Sequence, residues 1–317
     1  MNRKLKFTLQ AILSVAILAF LFYKVGVGNI FEAFAQFNLW YLPLIIILSV
    51  LSFLIGILNL FILVYPIKKS IALLSLTKYY LLSWSLGNII PAKLGEFSLA
   101  FFLKQEGIGL GPGFVVSLLD RLITVFVLAV LAGIGFFLFF TTSQAVYLLS
   151  IILLGIIVLL FFMVSSPGRR FIRRVVLRKY EKSFKGFYKT LRYFVKEYPS
   201  FLFLNVIVTF LKWLLTAVTI FVTFFAFGRT INLLTILVIN SIVMFVTLIP
   251  ATINGLGLRE SAAVYLFAQV GVPSSITASA YVLFLVIMYV KSASILFYYF
   301  DQLPYLFATV RRILAKS

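Results

Sequence analysis

Long apolar runs alternate with short polar breaks along this chain. The first run, Phe7–Tyr23, follows a basic stretch ending at Lys6. No small-residue cleavage site follows it, so it reads as a span with its N-terminus inside rather than a removed leader. A linker from Lys24 to Asn38 carries Ile30, Phe31, Phe34 and Phe37 at helical spacing, which suits a helix lying in the interface. The second run, Leu39–Val64, opens on Trp40 and Tyr41, residues that anchor spans at the interface. Further runs of spanning length cover Phe114–Phe140, Ala145–Val164, Ser200–Phe227 and Ser274–Phe300.

Two other runs are broken midway. Ile71–Gln105 is studded with Ser75, Lys78, Ser83, Ser85 and Asn88, and is interrupted at Ile90-Pro91-Ala92-Lys93-Leu94-Gly95-Glu96. Leu233–Val270 is interrupted at Ile249-Pro250-Ala251-Thr252-Ile253-Asn254-Gly255-Leu256-Gly257-Leu258-Arg259-Glu260. Both breaks begin Ile-Pro-Ala and end on a glutamate that opens a short apolar segment. A glycine follows each glutamate by eleven residues, at Gly107 and Gly271, and each lead-in holds one asparagine, Asn88 or Asn240. This is a weak internal repeat. Glu96–Gln105 makes only roughly 15 Å of helix, about half of a hydrocarbon core. Both broken runs therefore read as re-entrant hairpins, with tips at Pro91 and Gly95 and at Pro250, Asn254, Gly255 and Gly257. The link Gly107–Gly113 reads as a flexible turn, since a phosphate cradle needs a preceding strand and a Gly-Lys-Ser/Thr ending.

Composition agrees. Hydrophobic residues are 63% of the chain, charged residues 11%, and the mean hydropathy is +1.15. A soluble domain is near half apolar and a quarter charged, so this is an all-α polytopic membrane protein. A barrel would show short alternating segments instead. There is no cysteine and no histidine, which removes thiol chemistry and the commonest acid/base group and metal ligand. No cofactor or metal is expected. The formal charge is +20. With no soluble basic domain to bind nucleic acid, the surplus reads as topogenic, held on the cytoplasmic side.

Charge then sets the topology. Residues 165–199 carry eleven Lys/Arg against Glu181 and Glu197. Leu177, Tyr180, Phe184, Phe187, Leu191 and Phe194 recur there every three or four residues, a basic amphipathic helix suited to anionic headgroups. If both hairpins return to the side they came from, Lys68-Lys69, this loop, both termini and the basic tail all fall in the cytoplasm. The expected architecture is a single membrane domain over 1–317, with six full spans plus two re-entrant helical hairpins. Its repeats, about 39–140 and 200–300, start on opposite sides of the membrane, as in inverted-topology transporters.

The charges inside apolar runs are the candidate chemistry: Lys93, Glu96, Asp120, Arg121, Lys212, Arg259, Glu260 and Lys291. Each costs ~2.5–3.5 kcal/mol at a helix centre on insertion scales. Pairing, for example Glu96 with Arg121 or Glu260 with Lys291, leaves positive charge over, which suits an anionic group such as a phosphate. Glu96 and Glu260 sit near the starts of short helices, where free N–H groups collect. They either cap those helices or face cargo, and Lys93 and Arg259 flank the same termini. Catalysis finds little support. Asp120 and Asp301 are the only aspartates, too few for an aspartate-rich prenyltransferase motif, and serine chemistry lacks its histidine. No catalytic residue is assigned.

The segment Asn88–Glu96, then Asp120-Arg121, then Leu248-Ile249-Pro250 and Gly255-Leu256-Gly257-Leu258-Arg259-Glu260, resembles the flippase-like transmembrane region of lysylphosphatidylglycerol synthases. That family also includes stand-alone membrane proteins and the membrane part of some archaeal glycosyltransferases. The resemblance covers nearly the whole chain. It implies a lipid translocator; in the synthases this region looks to move the aminoacylated lipid while a separate soluble domain makes it. The sequence ends seventeen residues after the last span, so a stand-alone member without that domain, and not an enzyme, is expected. The cargo is then a phospholipid or a polyprenyl-phosphate-linked lipid, and membrane lipids are the expected partners. A separate lipid-synthesising enzyme is a candidate partner. The alternatives are a channel or small-solute carrier, and an intramembrane lipid-modifying enzyme. The expected location is the cytoplasmic membrane.

Overall fold

The computed structural model describes residues 3–165, 167, 185–247, 251–305 and 308. In chain order its helices are α1 (Arg3–Val25), α2 (Val27–Ala35), α3 (Leu42–Val64), α4 (Leu73–Ile89), α5 (Leu99–Leu103) and α6 (Leu110–Phe139). They continue as α7 (Thr142–Val164), α8 (Phe187–Glu197), α9 (Pro199–Ala226), α10 (Leu233–Val246), α11 (Leu258–Ala268) and α12 (Ser274–Tyr298). Among the described residues there is no strand. Five helical stretches are long and apolar enough to cross a membrane: Phe7–Val25, Leu39–Val64, α6, α9 and α12. The fourth expected span is α7, whose apolar stretch among the described residues is the shorter Thr142–Gly155. Among the described residues, five of the six expected spans therefore stand by length and apolar content.

Local signals start the helices. Pro43 and Pro199 occupy the first turns of α3 and α9, where a missing N–H costs nothing. Asn232 caps α10, its side chain accepting from the Leu234 N–H at 2.8 Å. Large apolar side chains such as Ile47, Leu54 and Leu58 of α3 stay exposed. In a bilayer that surface faces acyl chains, so packing and interhelical polar contacts hold the bundle.

The two hairpins are based at opposite ends of α3, whose 23 residues span about 35 Å. At the C-terminal end, Lys68 just before the first hairpin donates to the Glu106 carbonyl at 2.6 Å. Its ammonium also lies 3.5 Å from the Glu106 carboxylate, so the chain leaves and returns at one place. At the N-terminal end, the Asn38 N–H donates to the Ala226 carbonyl at 2.8 Å, and Phe37 lies 4.8 Å from Phe227 between ring centroids. Phe227, Ile231 and Val272 bracket the second hairpin there and share its apolar cluster. A separate cluster, with Leu76, Leu82, Phe102 and Leu103, surrounds the first hairpin.

Two amphipathic segments differ from expectation. The linker helix α2 packs against α12 rather than lying free in the interface. Ile30 is buried and Phe34 packs on Phe227, leaving Phe31 exposed. In the basic loop, residues 168–184 lie outside the described residues, Leu177, Tyr180 and Phe184 among them. Leu191 and Phe194 of α8 are buried against the first hairpin's cluster. Protein, not lipid, seals that part of the apolar stripe.

Candidate functional site

The hairpin tips meet near the middle of the bundle. The first tip, Pro91–Ser98, is a 3-10 helix. Glu96 therefore sits inside a tightly wound stretch and does not open an α-helix, contrary to the sequence reading. Gly95 explains the winding. A Cβ there would lie 2.2 Å from the Leu86 carbonyl oxygen and 2.7 Å from the Gly87 nitrogen, so the tip rides directly on the α4 backbone. Gly95→Ala should overpack this contact and cost about 1–3 kcal/mol, read as a lower unfolding midpoint in detergent. An unchanged midpoint would disprove the close contact. Lys93 belongs to the same 3-10 stretch.

The second tip runs from Ala251 to Gly257, with Pro250 outside the described residues. Asn254 is left-handed at φ 49° and Gly257 at φ 83°. α1 braces this tip: Ser14 Oγ accepts from the Ile253 N–H at 2.9 Å. The Asn254 side chain donates to Asn88 Oδ1 at 3.2 Å, and Asn88 donates to Ser292 Oγ at 2.9 Å. One asparagine from each broken run thus ties the second tip to the last turn of α4 and to α12, and the two tips also touch each other.

The carboxylates take different partners. Glu96 pairs with Arg121, as the sequence suggests. Arg121 also lies 3.6 Å from Asp120. Asn59 steadies Asp120, donating to its carboxylate at 3.1 Å and to Thr209 Oγ1 at 2.9 Å. Glu260 does not reach Lys291. It is fully buried, and its carboxylate accepts from the Gly257 N–H at 2.7 Å and from Arg259 Nε at 2.8 Å. A position three residues into α11 points a side chain back over the helix start, so the neighbouring arginine is met first. Glu260 is a cap and half of an ion pair; Glu96 is only the second.

Two cavities lie side by side. The first, about 220 Å³, is lined by Tyr80, Glu96, Asp120, Arg121, Lys212 and Lys291. The second, about 190 Å³, is lined by Asn240, Arg259, Tyr281, Met288 and Lys291. They share Ser49, Ser52, Thr216, Met244 and Lys291. Several donors along the walls lack a hydrogen-bond partner: Trp213 Nε1 in the first, Asn240 Nδ2 and the Tyr281 hydroxyl in the second. Arg259 Nη2 lies 2.7 Å from Glu260 but is not aligned to bond it. The candidates other than Lys93 therefore converge on one region, with Glu260 behind Arg259. Their described charges, four cations and three anions, leave one positive charge over.

Sequence reasoning misses the neutral partners. Asn59 has a signal, being a lone amide inside an apolar span. Tyr80 packs where Gly56 leaves room, 1.9 Å from an ideal Cβ at that position. The pairing of Phe53 and Trp84 around Lys291 has no sequence signal, because it joins three helices.

The fold and the ion-paired central region define a multi-pass helical membrane protein with a polar interior. The chain belongs to the family of the lysylphosphatidylglycerol synthase transmembrane region, whose model matches residues 7–293. It is also similar to a UPF0104 membrane protein of Methanothermobacter thermautotrophicus, 25% identical over 303 residues, covering 87% of this chain and 89% of that relative.

Proposed function

We propose that the protein translocates a phosphate-bearing lipid, a phospholipid or polyprenyl-phosphate-linked lipid, between bilayer leaflets. The observation that carries this reading is the meeting of two hairpin tips, based at opposite ends of α3, beside cavities with surplus positive charge. In this reading the hairpins are re-entrant and the two halves form an inverted-topology repeat. Broken backbone is tolerated at depth because protein buries it and water lines it. Both cavities fall below the roughly 300–1,000 Å³ of whole-ligand pockets. A headgroup enters, and its acyl chains remain in lipid.

The end carrying Lys68, Lys69 and α8 is the cytoplasmic one. Lys189, Arg192 and Lys196 line a surface cavity of about 750 Å³ there, suited to anionic headgroups gathering before entry. We read no catalytic role into Asp120, which is held by Asn59 and Arg121. Among the described residues no three His, Cys, Asp or Glu gather as a metal site.

Purified protein in liposomes with a trace of fluorescent anionic lipid should speed its exchange between leaflets, followed by dithionite quenching. Protein-free liposomes give the baseline. No acceleration of any lipid overturns the reading. Flux of a small anion without lipid exchange assigns a channel or solute carrier instead.

A further inference from the structure

We propose that Lys291 is a mobile gate between the two cavities, moving from an aromatic cradle onto the phosphate group of an entering headgroup. Lys291 is the one candidate cation that lines both cavities. Its surroundings differ from those of the arginines. Arg121 and Arg259 each hold a carboxylate. Among the described residues Lys291 has none within ion-pair distance. Its ammonium donates to Ser49 Oγ and lies 4.7 Å from the Phe53 ring centroid and 5.3 Å from that of Trp84.

Ring faces and one hydroxyl hold a cation, but more weakly than an anion does in a desolvated place. The side chain is a compact charge on a flexible four-carbon stem, so it can exchange one partner for the other. A phosphate oxygen entering the first cavity would draw the ammonium off the rings and open the shared wall. The same turn of α12 also touches the second tip. The Met288 sulfur lies 3.8 Å from Asn254 Nδ2 and 3.9 Å from Arg259 Nη1. This inference takes its cargo from the translocation reading, but its test does not depend on transport.

Trp84 is the built-in reporter. With Trp40→Phe, Trp84 and Trp213 remain of three tryptophans, both lining the first cavity, and the Trp84→Phe protein, which keeps a ring beside Lys291, gives the Trp213 signal to subtract. In that background, in detergent, the emission of Trp84 should change saturably with dihexanoylphosphatidylglycerol and stay flat with uncharged dihexanoylglycerol. Lys291→Met, close in shape, should raise the half-saturating concentration at least tenfold. Lys291→Arg should keep most of the response, which guards against a folding artefact. The same change with inorganic phosphate supports the gate and assigns recognition to the phosphate alone. A response that is equal with and without the Lys291→Met substitution, or no response to any phosphate, overturns the gate. Lipid exchange with a silent Trp84 overturns the gate and leaves translocation standing. A Lys291-dependent Trp84 response without exchange of any lipid supports the gate and removes translocation.

Discussion

Glu260→Ala should be among the most destabilising single changes in this protein, costing about 3–5 kcal/mol, the usual penalty for removing one partner of a buried ion pair. Glu260 is fully buried, and the Arg259 side chain is only 12% exposed. Without the carboxylate the guanidinium is a buried, uncompensated charge, and the Gly257 N–H loses its acceptor. A large fall in the unfolding midpoint in detergent is expected. That alone does not tell a structural pair from a cargo site, so the double substitution Arg259→Met with Glu260→Gln is needed. Replacing both ions by neutral groups is often close to neutral, and glutamine can still accept from Gly257. The double variant should recover most of the stability, giving a strong coupling in the mutant cycle. If it is stable yet slow in lipid exchange, Arg259 acts on the headgroup. Normal exchange would reduce the pair to scaffolding and remove Arg259 from the cargo path.

Five of the expected spans and the two breaks are legible because each is a local property of the chain. An apolar run of spanning length or an Ile-Pro-Ala interruption needs no knowledge of neighbours. The convergence of Glu96, Asp120, Arg121 and Lys212 is legible too, since isolated charges in apolar runs must find one another. Detail fails where the third dimension decides. The apolar content of Glu96–Gln105 suggests an α-helix, but contact of Gly95 with the α4 backbone winds the start of that segment into a 3-10 helix. Charge counting offers Lys291 to Glu260, whereas the geometry of a helix start gives it Arg259. The stripe through Leu191 and Phe194 looks ready for lipid, but the bundle itself covers it. In each case the composition is read correctly and the partner is not, because partner choice depends on helix register, which spacing within one helix does not encode.

Arg121→Met should slow exchange of an anionic lipid at least tenfold, equivalent to about 1.4 kcal/mol, and leave an uncharged lipid nearly unaffected. The first cavity holds Glu96 and Asp120 against Arg121, Lys212 and Lys291, a surplus of one positive charge. Arg121→Met removes that surplus. Glu96→Gln raises it by one and frees Arg121 from its competitor, so the two substitutions act in opposite directions on binding. The Glu96→Gln protein should bind a short-chain anionic lipid more tightly, yet exchange it more slowly, because only the more distant Asp120, 3.6 Å away and already held by Asn59, remains to reclaim the arginine and release the headgroup. Titration calorimetry with dihexanoylphosphatidylglycerol, set beside exchange rates in liposomes, separates the two effects. Asp120 keeps its Asn59 partner in both variants but loses Arg121 in Arg121→Met, so the unfolding midpoint in detergent is measured beside the exchange rate to separate a structural loss from a lost cargo contact. Equal loss for anionic and uncharged lipids in Arg121→Met would mean that the Glu96–Arg121 pair pins the first tip to α6 and does not read the cargo.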